Sequence, residues 1–290
     1  MTMDSFWAFR DDRGREATAP RRPRRIVAYV QAAAVLQDLG LPVSGIFGSP
    51  HDKDGIDPVK AEALTDRDVP YLGAGAEIDA AAVRASGADL FVSVTYDGEH
   101  LYGVDPETAG ELAAELPTVA VGTGAGHSLF SVRERYAELA RSLGAEPPAP
   151  AGLEASADAL RAAAGEAPRV RVTALSPAGA DTVHVARADA WPDLRALTEL
   201  GLRPADLPGS GGNWVTTDWA TAAGAAPDVI LADARGNATP LDALRENEGW
   251  TRLADGATVL PWNPELPCTS RAMSHFFSTL AQAVAARTAG

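Results

Sequence analysis

Apolar runs of strand length alternate with Ala/Leu-rich helical stretches along the whole chain, and the alternation runs its course twice. In the first half, residues 25–30 (RIVAYV), 42–47 (PVSGIF), 88–94 (ADLFVSV) and 118–122 (TVAVG) read as strands. Helical patterns fall between and after them at 31–39, 79–86, 111–116 and 128–143. The last places Leu129, Val132, Tyr136, Leu139 and Leu143 on one helical face and stops at Gly144. A Pro-rich connector (145–151) and a helix over 153–164 follow. The rhythm then restarts, with strands at 169–175, 182–186, 227–232 and 258–260 and helices at 194–200 and 270–288. Such a βαβα order predicts an α/β protein with mostly parallel sheets covered by helices. Two Rossmann-like lobes are expected, 1–144 and 168–290, joined by a helical linker over 145–167. Open sheets of this kind bind ligands beyond the carboxyl ends of their strands, so a ligand cleft between the lobes is expected.

Charge and cysteine content narrow the function. The chain has 290 residues and a formal net charge of −14, which leaves no basic stripe for nucleic acid. Its single cysteine, Cys268, rules out a disulfide framework, and no Cys/His spacing suits zinc. The N-terminal stretch MTMDSFWAFRDDRG has neither a basic n-region nor an apolar h-region. As given, the chain is expected in the cytoplasm; the alternative is an extracytoplasmic lipoprotein whose leader has been removed.

The motifs of common enzymes are missing. There is no Gly-x-Ser-x-Gly elbow, no Walker loop and no His-Glu-x-x-His pair. The stretch GTGAGHS (122–128) lacks the P-loop Lys and reads as a loop entering a helix capped by Ser128. The loop GSPHDKDGIDP (48–58) resembles a calcium loop only superficially. Setting Gly55 at the sixth position of an EF-hand puts Pro50 at the first and Ala61 at the twelfth, where oxygen ligands are required. No metal site and no cofactor are expected. Nothing in the spacing of His51, Asp54 and His127 demands an acid–base group.

Five ordered segments carry a family resemblance. They are FWAFRDDRGREATAPRRPRRIVAY, VLQDLGLPVSGI, the paired pre-strand stretches GADLFV and APDVIL, and GWTRLADGATVLPW. Together, over roughly residues 6–286, the chain resembles the helical-backbone (class III) substrate-binding proteins of ferric-siderophore, cobalamin and haem ABC importers. The resemblance implies an opening hairpin turning at Asp12, Arg13 and Gly14, a rigid helical linker, and a ligand held by aromatic, Arg and hydroxyl side chains. It implies a protein that binds rather than catalyses, with a ferric siderophore or related metal chelate as the expected ligand; a monomer is expected. The alternative is a cytoplasmic enzyme on the same scaffold acting on a siderophore or natural product.

Residues just beyond strand C-termini are the expected ligand contacts. In the first lobe these are Tyr29, His51, Tyr96 and His127, with Gln31 and Phe47 beside them. In the second they are Arg187, Trp191, Trp214, Arg235 and Trp262, with Asn213 and Asn263 adjacent. Arg187 and Arg235 have the alternative of a salt bridge, and Trp191 that of capping the next helix. The charged neighbours of His51 are expected to be solvated, and Trp219, Trp250 and His184 to be packed. Relatives of this kind dock on an ABC permease through a Glu seven residues before the Pro of the Pro-Asp signature. Here that register gives Ala81 and Ala220, so both docking carboxylates are expected to be absent; Asp79 and Asp218 lie two residues earlier.

Overall fold

The computed structural model describes residues 6–52, 55–75 and 77–287. They fall into two compact units. The first comprises 1–124, 130–149 and 267–269; the second comprises 125–129, 150–266 and 270–290. The expected linker helix therefore groups with the second unit, as does the segment bearing His127.

The first unit opens on an antiparallel hairpin, β1 (Trp7–Arg10) and β2 (Glu16–Ala19). Its turn is fastened by Asp11, which is buried and accepts from the backbone N–H groups of Arg13, Arg15 and Ala120. Asp12 accepts from the Gly122 N–H and from Arg135. The Asp-Asp-Arg-Gly turn is thus the joint between hairpin and sheet. The sheet has the order β5-β4-β3-β6-β7, all parallel. Its strands are β3 (Ile26–Tyr29), β4 (Gly45–Gly48), β5 (Tyr71–Ala74), β6 (Leu90–Thr95) and β7 (Thr118–Gly122). The helices are α1 (Val30–Asp38), α2 (Pro58–Ala61), α3 (Ala80–Ala85), α4 (Pro106–Glu115) and α5 (Leu129–Ser142). From β3 the chain runs outward through β4 and β5, then returns to β6 and β7. The topological switch lies between β3 and β6, where doubly wound sheets take their ligands.

In the second unit the sheet order is β11-β9-β8-β12-β13, with β10 also pairing β8. The strands are β8 (Arg171–Pro177), β9 (Val183–Ala186), β10 (Arg203–Pro204), β11 (Trp214–Thr217), β12 (Val229–Asp233) and β13 (Thr258–Trp262). β8, β10, β12 and β13 are parallel, while β9 runs antiparallel to both β8 and β11. The helices are α6 (Leu153–Glu166), α7 (Pro192–Glu199), α8 (Trp219–Ala223), α9 (Glu248–Ala254) and α10 (Ser270–Ala285), with α6 packed on α10. Trp219 and Trp250 meet edge to face within the core, as expected of packing residues.

The paired pre-strand signatures have a shared physical job. Asp89, before β6, accepts from the backbone N–H groups of Arg24 and Arg25 at the start of β3. Asp228, before β12, accepts from the N–H of Arg171 at the start of β8. Each satisfies strand-end donors that no ladder reaches. Among the described residues no helix is long and apolar enough to cross a membrane.

Candidate functional site

An aromatic stack forms at the switch point of the first unit. Tyr29, at the end of β3, meets Phe47 at 5.6 Å and Tyr102 edge-on at 5.4 Å. Tyr96, just past β6, meets Tyr102 at 4.9 Å. Tyr29 is fully buried, so it forms the base of this stack rather than its ligand-facing surface. Lys60, brought in by α2, is buried beneath it and donates to the Tyr29 hydroxyl (3.3 Å) and to Asp52 Oδ1 (2.7 Å). Asp52 also accepts from the Ser49 N–H. This corrects the expectation of a solvated loop: Asp52 is a buried partner of Lys60, and the ion pair pins the loop behind β4. Lys53 and Asp54 lie outside the described residues. His51 is exposed on the same loop, its backbone N–H given to Ser49 Oγ.

A pocket of about 390 Å³ opens beside the stack, lined by Pro50, Tyr96, His100, Tyr102 and Asp105 among others. Its rim is tightly tied. The Asp97 carboxylate accepts from the His100 and Glu99 N–H groups and contacts His100 Nδ1 at 2.7 Å. The hydrogen bonds from His100 hold its carboxyl well below the usual range. Tyr102 and His100, which line this pocket, lie in the same stretch VTYDGEHLYG as Tyr96 but not directly after a strand, so position alone does not mark them.

The second unit carries a tryptophan cluster. Trp191, Trp214 and Trp262 lie with ring centroids 5.0, 6.2 and 5.9 Å apart. Trp191 and Trp262 are only 4% and 3% exposed, so they are the inner members, and Trp214, half-buried, is the outer one. Trp214 opens β11 opposite Ala186 rather than sitting in a polar loop. Trp191 is the residue before α7, but its side chain caps nothing; its Nε1 donates to the Asn213 carbonyl at 3.0 Å. Trp262 Nε1 donates to Asp193 Oδ2. Asp193 is fully buried, and burial pushes its carboxyl up to about 7 against the pull of that hydrogen bond.

Neither arginine of this unit presents an open fork. Arg187 donates to the carbonyls of Gly209 and Gly211 and to Asp206, which ties down the loop before β11. Arg235, its side chain 9% exposed, grips Asp233 through two nitrogens and Glu265 through a third. Burial opposes its charge, but the hydrogen bonds and charge of Asp233, with Glu265, outweigh this and raise its pKa. The salt-bridge alternative therefore holds for both, and for Arg235 the bridge is internal. His184 contacts Thr216 Oγ1 at 2.9 Å and lies 6.4 Å from the Trp214 ring. His127 is half-buried, and the adjacent Gly126 N–H reaches the Asp189 carbonyl. A separate pocket of about 610 Å³ lies at the start of α8, lined by Trp219, Ala220 and the carboxylates of Asp181, Asp218, Glu246 and Glu248. None of the expected ligand residues borders it.

No family model and no curated relative matches the chain. Solved structures do. DesE, a ferric-siderophore receptor protein from Streptomyces coelicolor, matches with a TM-score of 0.85 at 28% identity, covering 96% of this chain and 98% of its own. The siderophore periplasmic binding protein from the fuscachelin gene cluster of Thermobifida fusca matches at 0.66 with 20% identity, over 91% and 97% of the two chains. The periplasmic heme-binding protein RhuT from Roseiflexus sp. RS-1 matches at 0.63 with 18% identity, over 91% and 99%. The resemblance carried by the five sequence segments is thus met in three dimensions, and this chain has the fold of the helical-backbone (class III) substrate-binding proteins.

Proposed function

We propose that the chain is a binding protein for a ferric siderophore or a closely related iron chelate. The observation that carries this reading is the likeness to DesE across nearly the full length of both chains. The local chemistry supports it. Each unit offers an aromatic surface near its strand ends, Tyr96 and Tyr102 in one and Trp214 in the other, backed by buried partners. Such surfaces recognise the flat, polarizable faces of a chelate. His51, His100 and His127 add polar edges, while Tyr29, Trp191, Trp262 and Arg187 support from behind. Arg235 belongs to the internal charge network. The fuscachelin protein and RhuT are periplasmic by name, which favours an extracytoplasmic place for this chain as well. Its partner there would be an ABC permease, met as a monomer and without the usual docking Glu at positions 81 and 220.

The test is a titration of intrinsic tryptophan emission with a siderophore panel, each member iron-loaded and metal-free. The expected result is a saturable change with at least one loaded member at a Kd below about 100 μM, some −5.5 kcal/mol. Trp214→Ala is expected to weaken that binding by about 1–3 kcal/mol. If no member binds, the siderophore reading falls. Recovery of the ligand in altered form would instead establish the enzyme alternative.

A further inference from the structure

A carboxylate is an unexpected acceptor for Trp262. An asparagine or a backbone carbonyl would satisfy the buried indole N–H without bringing a charge into the core. Asp193 is 1% exposed, and its second oxygen, Oδ1, has no hydrogen-bond partner among the described residues. Nor does Asp193 cap α7, because it lies inside the first turn and the residue before the helix, Trp191, supplies no side-chain cap. Among the described residues its side-chain partner is the indole of Trp262. Trp262 in turn lies edge-on to both other rings of the cluster, and Trp191 is fixed separately through Asn213. Trp214, the outer ring, rests on these two anchored neighbours.

We propose that Asp193 is the positioning residue of the tryptophan cluster: its buried carboxylate holds the Trp262 indole and, through it, sets the outer Trp214 ring. That Trp214 meets a chelate rests on the proposed function; that Asp193 sets the ring does not. The ionised carboxylate gives Trp262 a charge-assisted bond, and a proton on it weakens that bond. Burial has brought the carboxyl to about 7, so the two states exchange near neutrality. The sign follows directly. Above this value the indole is held firmly; as pH falls through it the hold relaxes. The packed elements carry other charges around the cluster. Arg195 lies on α7, and Asp233 at the end of β12 engages Arg235, which also pairs with Glu265 past β13. Arg187 is tied to Asp206, and His184 faces Trp214 from β9.

The experiment follows tryptophan emission of the ligand-free protein between pH 5.5 and 8.5. Wild type is expected to show a reversible transition centred near 7. Asp193→Asn is expected to abolish it, with an emission at every pH like that of wild type at low pH. His184→Gln is the control for the neighbouring imidazole and is expected to retain the transition. Trp214→Phe should remove most of its amplitude, because Trp214 is the ring that shifts. Should Asp193→Asn not fold, Trp262→Phe serves in its place. It keeps an aromatic ring but deletes the donor through which Asp193 reaches the cluster, so the transition reported by the remaining tryptophans is expected to vanish, and its survival would overturn the proposal. A flat wild-type profile, a transition that survives Asp193→Asn, or one lost in His184→Gln would overturn the proposal. None of these outcomes depends on a ligand, so the proposal can fail while the siderophore reading stands, and the reverse.

Discussion

Arg235 uses the nitrogens of its guanidinium on Asp233 and Glu265, whose side chains are 0% and 1% exposed. Removing one partner from such a buried network is costlier than never building it, because the remaining charges stay desolvated. Arg235→Met is therefore expected to lower stability by about 3–5 kcal/mol, read as a fall in denaturation midpoint. Arg187→Met, at a more exposed bridge, should cost far less. A midpoint for Arg235→Met equal to wild type would show that the two carboxylates are protonated or solvated instead. Residue roles were only half legible in the sequence. A position near a strand end marked Trp191, Trp214 and Trp262 as expected ligand contacts, and the structure gathers the three rings into one cluster. Position alone could not show which ring faces outward, because that depends on packing from α7 and β11. Asp193 gave no signal at all: an acidic residue after Pro192 reads as an ordinary first-turn helix charge. Asp52 misled for the same reason, since its partner Lys60 arrives from a separate helix.

The strands with continuous apolar runs, such as β6, β7 and β12, were readable because both their faces are buried. β5 and β11 escaped notice because they are short and only partly buried, so neither a buried run nor clean alternation marks them. The start of α4 was placed too late, although Asp105 caps it through the N–H groups of Glu107 and Thr108 and Pro106 occupies its first position. Elements at the first unit's site are locked by one glycine. A Cβ on Gly124, just past β7, would lie 2.0 Å from the backbone oxygen of Tyr96, just past β6. Neither loop can yield by a side-chain rotation alone. Gly124→Ala is expected to lower stability by about 1–3 kcal/mol and to displace Tyr96, and so to weaken chelate binding beyond the loss in stability. Gly126→Ala serves as a steric comparison: its Cβ would meet nothing within 4 Å, although its φ of +94° carries a backbone penalty of its own. A Gly124→Ala protein with unchanged midpoint and unchanged binding would show that the two loops move freely of each other.

For the molecule as a whole, the open question is how a chain carrying a net charge of −14 would meet a membrane permease. Ala81 and Ala220, the positions at which the sequence resemblance implies a docking Glu, are both exposed, on the first turns of α3 and α8. The nearby acids are occupied. Asp79 accepts from the Ala81 N–H at 2.7 Å and Asp218 from the Thr221 N–H at 2.6 Å, each capping its helix. The Thr221 bonds also hold the Asp218 carboxyl below its usual value. Their loss is thus expected to appear as a lower denaturation midpoint, from two lost helix caps, rather than as a loss of partner. Ala220 also borders the pocket carrying Asp181, Asp218, Glu246 and Glu248, so a further carboxylate there changes the local field by only a fraction. In a capture assay on a siderophore permease in detergent, wild type is expected to bind weakly and with steep salt dependence, as unfocused surface charge does. Ala81→Glu should strengthen capture more than Ala220→Glu, and the pair more than either. Tight wild-type capture that is abolished by Asp79→Ala and Asp218→Ala, in proteins still folded at the assay temperature, would instead make the two caps the docking groups.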